Sequence, residues 1–156
     1  MSEPTRIAPG MLAIGIGCRR GSEAGDIVAL VRRAIERAGE VRVGSDAPGR
    51  AGRAALFTAV EKQSEAGLRE AAQLLAMPLV FLPQAALAAM GDKAETRSER
   101  VVQLFGVPSL AETAALAGAG QGAELIVPRI SADGVTCAIA AVPFKRGEGA
   151  NRTEEQ

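Results

Sequence analysis

The sequence of 156 residues contains no His, no Trp and no Tyr. Without His there is no Ser–His–Asp or Cys–His nucleophile system, no His-ligated zinc and no His-ligated haem. Four Phe are the only aromatic residues, too few for the stacking platforms that single-stranded nucleic acids use. Eighteen basic residues balance eighteen acidic ones, so no excess of positive charge points to a nucleic-acid partner. The two cysteines, Cys18 and Cys137, lie far apart in apolar segments without a C-x-x-C partner. They are expected to be free, buried thiols in a reducing compartment. No tight cluster of metal ligands is visible, so no metal site and no resident cofactor are expected. No stretch approaches the ~18 uninterrupted apolar residues needed to span a bilayer. The start, MSEPTRIAPG, lacks the basic and apolar regions of a signal peptide, so a cytoplasmic protein is expected.

Apolar residues make up 47% of the chain and charged residues 23%, which suits a single domain with a real core. Residues 11–17 (MLAIGIG) form a short apolar run with glycines and read as a buried strand. A helix is expected over 23–38, because Ile27, Leu30, Val31, Ala34, Ile35 and Ala38 recur on one face. Ser22 is its expected N-cap and Gly39 its expected stop. Residues 40–52 are turn-rich. A second strand is expected over 53–60, a helix over 65–76, a third strand over 79–82 and a short helix over 84–90. Further helices are expected over 98–105 and 110–119, the second rich in alanine and therefore suited to close packing. Residues 123–129 and 134–142 read as two strands closed by Ser131-Ala132-Asp133-Gly134, a hairpin signal. Alternating strands and helices predict a three-layer α/β/α single domain over 1–145. Its mixed sheet of about five strands should be parallel early and end in a β-hairpin, with a polar tail over 146–156.

In such folds ligands bind at the carboxyl edge of the sheet. The loop Gly15-Ile16-Gly17-Cys18-Arg19-Arg20-Gly21-Ser22 brings glycines, two guanidinium groups and a hydroxyl to that edge. It suits an anion such as a carboxylate or phosphate. It equally suits a tight turn with solvated arginines. It is neither a dinucleotide fingerprint nor a Walker loop, which disfavours a nucleotide. Lys62 and Glu65 follow the second strand and should reach the same edge, either as ligand-holding groups or as a solvent-facing ion pair. Ser98 and Glu112 stand at helix starts, where capping and first-turn electrostatics already account for them.

In order along the chain, several stretches resemble the CobE and CbiG carboxy-terminal-domain family of cobalamin biosynthesis. They are GIGCRRG (15–21), Lys62-x-x-Glu65-x-Gly67-Leu68, GVPSLAETAAL (106–116), ELIVPR (124–129) and GVTCAIA (134–140). The resemblance runs over about residues 11–142 and suggests the free-standing form. Two departures stand out: Arg129 replaces a family Lys, and Thr58-Ala59-Val60-Glu61 lacks the aspartate expected before Lys62. The resemblance implies a role in making the corrin ring, with a corrinoid or precorrin as small-molecule partner. Any cobalt would be carried inside that ligand. The implied ligand-binding set is Gly17, Cys18, Arg19, Arg20, Gly21, Ser22, Lys62, Glu65, Ser98 and Glu112. Three roles fit: a carrier of a polycarboxylate precorrin, a CbiG-type hydrolase of a precorrin lactone, or a non-catalytic partner of another enzyme of the pathway. A hydrolase would draw its acid–base groups from Lys62, Glu65, Glu112 or Cys18.

Overall fold

The computed structural model describes residues 11–41 and 53–143. Within them the elements run β1 (Leu12–Cys18), α1 (Ala24–Val41), β2 (Ala54–Ala59), α2 (Ala66–Leu75), β3 (Leu79–Leu82) and α3 (Gln84–Ala88). The chain continues through α4 (Glu99–Phe105), α5 (Leu110–Ala119), β4 (Glu124–Ala132) and β5 (Val135–Ala141). Short 3-10 turns occupy Val60–Lys62 and Gly91–Lys93. The expected lead-in and the polar tail over 146–156 lie outside the described residues.

One five-stranded sheet has the order β3-β2-β1-β5-β4. The pairs β1–β2 and β2–β3 are parallel, whereas β5 runs antiparallel to both β1 and β4. This is the three-layer, mixed α/β domain expected from the alternation of elements. Side chains alternate across β1, so Leu12, Ile14 and Ile16 face α1 and α2 in one core. The opposite face carries small residues around the Phe57 ring: Ala13 and Gly15 of β1, Ala55 and Ala59 of β2, and Ala138 and Ala140 of β5. Against it lie Ala111, Ala114 and Ala115 of α5, all buried.

That small-residue face lets α5 come down onto the backbone of β1. A Cβ added at Gly15 would stand 1.9 Å from the Ala111 carbonyl oxygen. One added at Gly118 would meet the Phe57 ring at 2.5 Å. The alanine content of α5 is therefore spent inside the domain, and the helix has no free face to offer a partner. No single helix among the described residues is long and apolar enough to cross a membrane.

Several boundaries differ from expectation for identifiable reasons. Helix α1 runs through Gly39 to Val41, because a glycine ends a helix only where the chain turns left-handed. Ser22 does not cap it: its hydroxyl donates to the Arg19 carbonyl at 2.9 Å, and Glu23 occupies the cap position by accepting from Ile27 N. Strands β4 and β5 reach Ala132 and Val135, leaving a two-residue turn at Asp133 (φ 56°) and Gly134 (φ 81°). Two left-handed residues in succession make the type I′ hairpin that Asp-Gly favours.

Two measurements check this packing. Gly15→Ala is expected to lose about 2–4 kcal/mol of stability in denaturant unfolding, since the clash is with backbone on both sides. Burial pushes the Cys137 thiol from 9.0 up to about 12. Between those values the folded chain keeps a proton that the unfolded chain has released, so stability falls as pH rises. The slope is about 1.4 kcal/mol per pH unit. The difference in unfolding free energy between wild type and Cys137→Ala should change with that slope above pH 9.0 and be constant with pH below it.

Candidate functional site

Parallel strands β1, β2 and β3 all end at one edge of the sheet, at Cys18, Ala59 and Leu82. The loops that follow carry Arg19 to Ser22, Lys62 with Glu65, and Pro83. The β4–β5 turn joins the same edge, because Val135 pairs with Cys18. The site is thus assembled by topology from segments distant in sequence.

The loop after β1 is held from both sides. On one side the Arg19 N–H donates to the Gly134 carbonyl at 3.1 Å, and Thr136 Oγ1 donates to the Gly17 carbonyl at 3.3 Å. The Arg19 stem lies along the hairpin turn, where a Cβ on Gly134 would stand 3.1 Å from its Cδ. On the other side Lys62 Nζ donates to the Cys18 carbonyl at 2.6 Å. Glu65 Oε1 accepts from the Gly21 N–H at 2.8 Å. Gly67 brings α2 against this loop: a Cβ there would stand 2.2 Å from the Ser22 carbonyl oxygen. Lys62 and Glu65 are therefore not an ion pair with each other. Each reaches 44 positions back to fix one backbone group of the loop.

The Lys62 ammonium also lies 5.7 Å from the centre of the Phe105 ring. Phe105 is held by Gln84, whose amide Nε2 donates to its carbonyl at 2.9 Å. The Phe105 ring thus stands beside Lys62 at the loop, and Val60, two positions before Lys62, is exposed. Arg19 and Arg20 are exposed and pair with no acidic side chain among the described residues. The Cys18 thiol is half-buried. Burial pushes its pKa up, with Glu65 adding to the rise and Lys62 and Ser22 opposing it. It is held protonated rather than primed as a thiolate.

The structure thus gathers Gly17, Cys18, Arg19, Arg20, Gly21, Ser22, Lys62 and Glu65 at one edge. Ser98 and Glu112 are engaged elsewhere. Ser98 Oγ caps α4 by accepting from Val101 N at 3.3 Å, and its own N–H donates to the Pro108 carbonyl. Glu112, fully buried in the first turn of α5, accepts three backbone N–H bonds. Oε1 takes those of Glu95 and Thr96 at 2.7 and 2.9 Å, and Oε2 takes that of Arg129 at 2.9 Å. It ties the loop before α4 and strand β4 to α5. Arg129 meets it through its amide, so the Lys-to-Arg departure leaves this bond unchanged. Sequence reasoning did not single out Phe105, Gln84 or Thr136. An aromatic residue beside a helix-ending glycine was the one available signal for the first. Among the described residues no group of three Cys, Asp or Glu could hold a metal ion.

Residues 12–140 match the family model described as cobalamin synthesis G C-terminus. Protein CobE from Sinorhizobium sp is 35% identical over 147 residues, covering 94% of this chain and 90% of that protein. The crystal structure of CobE, a protein from the cobalamin biosynthetic pathway, superposes with a TM-score of 0.70 at 33% identity. It covers 87% of this chain and 93% of the other. The cobalamin biosynthesis protein chiG from Agrobacterium tumefaciens str. C58 gives a TM-score of 0.60 at 36% identity, covering 85% and 99%.

The bonds of Glu112 give a direct expectation. Glu112→Gln turns an NH₂ group toward backbone N–H donors, leaving a buried clash of like dipoles. A loss of about 1–3 kcal/mol in thermal or denaturant unfolding should follow. Faster amide exchange at Glu95, Thr96 or Arg129 should accompany it.

Proposed function

Since this chain belongs to the family of the carboxy-terminal domain of cobalamin-synthesis protein G and takes part in cobalamin biosynthesis, we propose that it binds a polycarboxylate corrin or precorrin at the loop after β1. Arg19 and Arg20 grip peripheral carboxylates there, and the apolar wall at Val60 and Phe105 receives part of the ring. Any cobalt arrives inside the macrocycle. The observation that carries this reading is the bracing of the loop. Lys62 and Glu65 each fix one of its backbone groups, so the loop presents its guanidinium groups from a rigid frame. Preorganisation of that kind lowers the ordering cost of binding. A guanidinium can hold a carboxylate with two parallel hydrogen bonds.

The same contacts favour holding a ligand over cleaving one. The groups that a lactone hydrolase would use are already committed to the fold: Lys62 to a carbonyl, Glu65 and Glu112 to amides. Cys18 is held protonated. A carrier that delivers or protects an intermediate needs none of these groups to transfer a proton.

Titration with a panel of corrin and precorrin acids, followed by absorbance and then by chromatography of the recovered ligand, tests this. Saturable binding with the ligand returned unchanged is expected, weakening as salt rises. Arg20→Ala should weaken binding by about 1.5–3 kcal/mol, the scale of charge-assisted hydrogen bonds. Unaltered affinity in a folded Arg20→Ala protein would remove the loop from the site, and an opened or shortened ligand would restore the hydrolase.

A further inference from the structure

Helix α4 breaks the rule that an apolar helix face is buried. Val101, Val102, Leu104 and Phe105 are four of its seven residues, yet none of the seven is buried, and Leu104 is 61% exposed. Val101 and Phe105, partly buried, pack against the core beneath α5, and Leu104 faces away from it. What holds the helix lies at its ends. Before it, Glu112 anchors the Glu95 and Thr96 amides, and Ser98 N–H donates to the Pro108 carbonyl at 2.8 Å. After it, Gly106 turns left-handed at φ 76°, and Val107 and Ser109 re-enter the buried interior. Between these anchors the exposed Gln84 side chain fixes one carbonyl, and the Phe105 ring lies against Lys62.

Resting on the reading above, we propose that α4 is a flap over the carboxyl edge, with Leu104 and Phe105 covering the apolar face of the bound macrocycle. The occupant follows from complementarity. One side of the site is cationic, through Arg19, Arg20 and Lys62, while the α4 side is apolar. A flat ring fringed with carboxylates presents both surfaces at once. A purely apolar partner would leave the arginines unused, and a small anion would leave α4 bare. Lys62 couples the two sides, since the ammonium that holds the Cys18 carbonyl also lies against the Phe105 ring. A ligand carboxylate that drew Lys62 toward itself would disturb both contacts.

Hydrogen exchange of residues 99–105 with and without saturating cobyrinic acid, alongside its affinity for wild type and Leu104→Ser, tests the flap. Because Leu104 is already exposed, the substitution should leave the melting temperature unchanged. The expected results are exchange slowed about tenfold or more by the ligand, and affinity reduced about tenfold in Leu104→Ser. Gln84→Ala should speed exchange of α4 in the free protein by about three- to tenfold, the effect of one lost hydrogen bond. Binding by wild type with α4 exchange or the Leu104→Ser affinity unchanged would overturn the flap and leave the binding function standing. Absence of binding to wild type by any corrin acid would overturn the function itself, and the flap with it. Protection of α4 that grows with protein concentration in the absence of ligand would assign this face to a second copy instead.

Discussion

The approach of α5 to the backbone of β1 at Gly15 is the constraint on which the rest depends. The Ala111 carbonyl oxygen occupies the place where any Cβ on residue 15 would stand. Contact that close is possible because β1 and β5 carry glycine and alanine there and Gly118 makes room for Phe57 of β2. Each small residue gives up some apolar area, but the helix axis moves nearer and dispersion contacts extend along its length. The opposite face of the sheet follows the other strategy, with Ile14, Ile16, Leu56 and Ile139 against α1 and α2. One sheet therefore has a thick side and a thin side, and the thin side fixes where α5 begins.

From that placement the carboxyl edge follows. The first turn of α5 lies beside the end of β1, where Leu110 stands 3.7 Å from the position a Gly17 Cβ would take. Glu112 is thereby carried into the interior, where a lone carboxyl group would be costly. Its cost is offset by three backbone N–H donors that would themselves have lacked partners. The arrangement is reciprocal, since the segment before α4 and the strand β4 gain an acceptor in the same place. Two register shifts along β4, between Leu125 and Val127 and between Val127 and Ile130, free the Arg129 amide from regular pairing. They also blunt this edge strand against pairing with another sheet, helped by Pro128.

Much of this was legible in the sequence, and the failures have a common cause. The short apolar run at 11–17, the 3.6-residue stripe from Ile27 to Ala38 and the Asp-Gly signal are local, and each led to the right element. The alanine run over 110–119 correctly signalled close packing, because only small side chains permit it. Ser22 misled because a hydroxyl beside a helix start has two backbone targets, and the turn carbonyl of Arg19 was nearer than the helix amides. Gly39 misled because composition does not show which glycines turn left-handed. Lys62, Glu65 and Glu112 were picked out by residue type, yet their partners stand 16 to 44 positions away and meet them only through the topology. No periodicity encodes such a meeting, which is why the sequence left Lys62 and Glu65 between ion pair and ligand contact and explained Glu112 by its place at a helix start.

A division of labour among the charged groups runs through this edge. Charges bonded to a loop backbone hold it in one geometry but lose the freedom to adapt. Lys62 and Glu65 are spent in that way, one on a carbonyl and one on an amide, and together they leave the loop frame with no net added charge. Arg19 is intermediate, its stem laid along the hairpin turn and its guanidinium free to project. Arg20 remains solvated and long, free to move above the loop that carries it. The edge thus combines rigid bracing beneath with adaptable guanidinium groups above, and the proposed grip on a carboxylate-fringed ring rests on that combination.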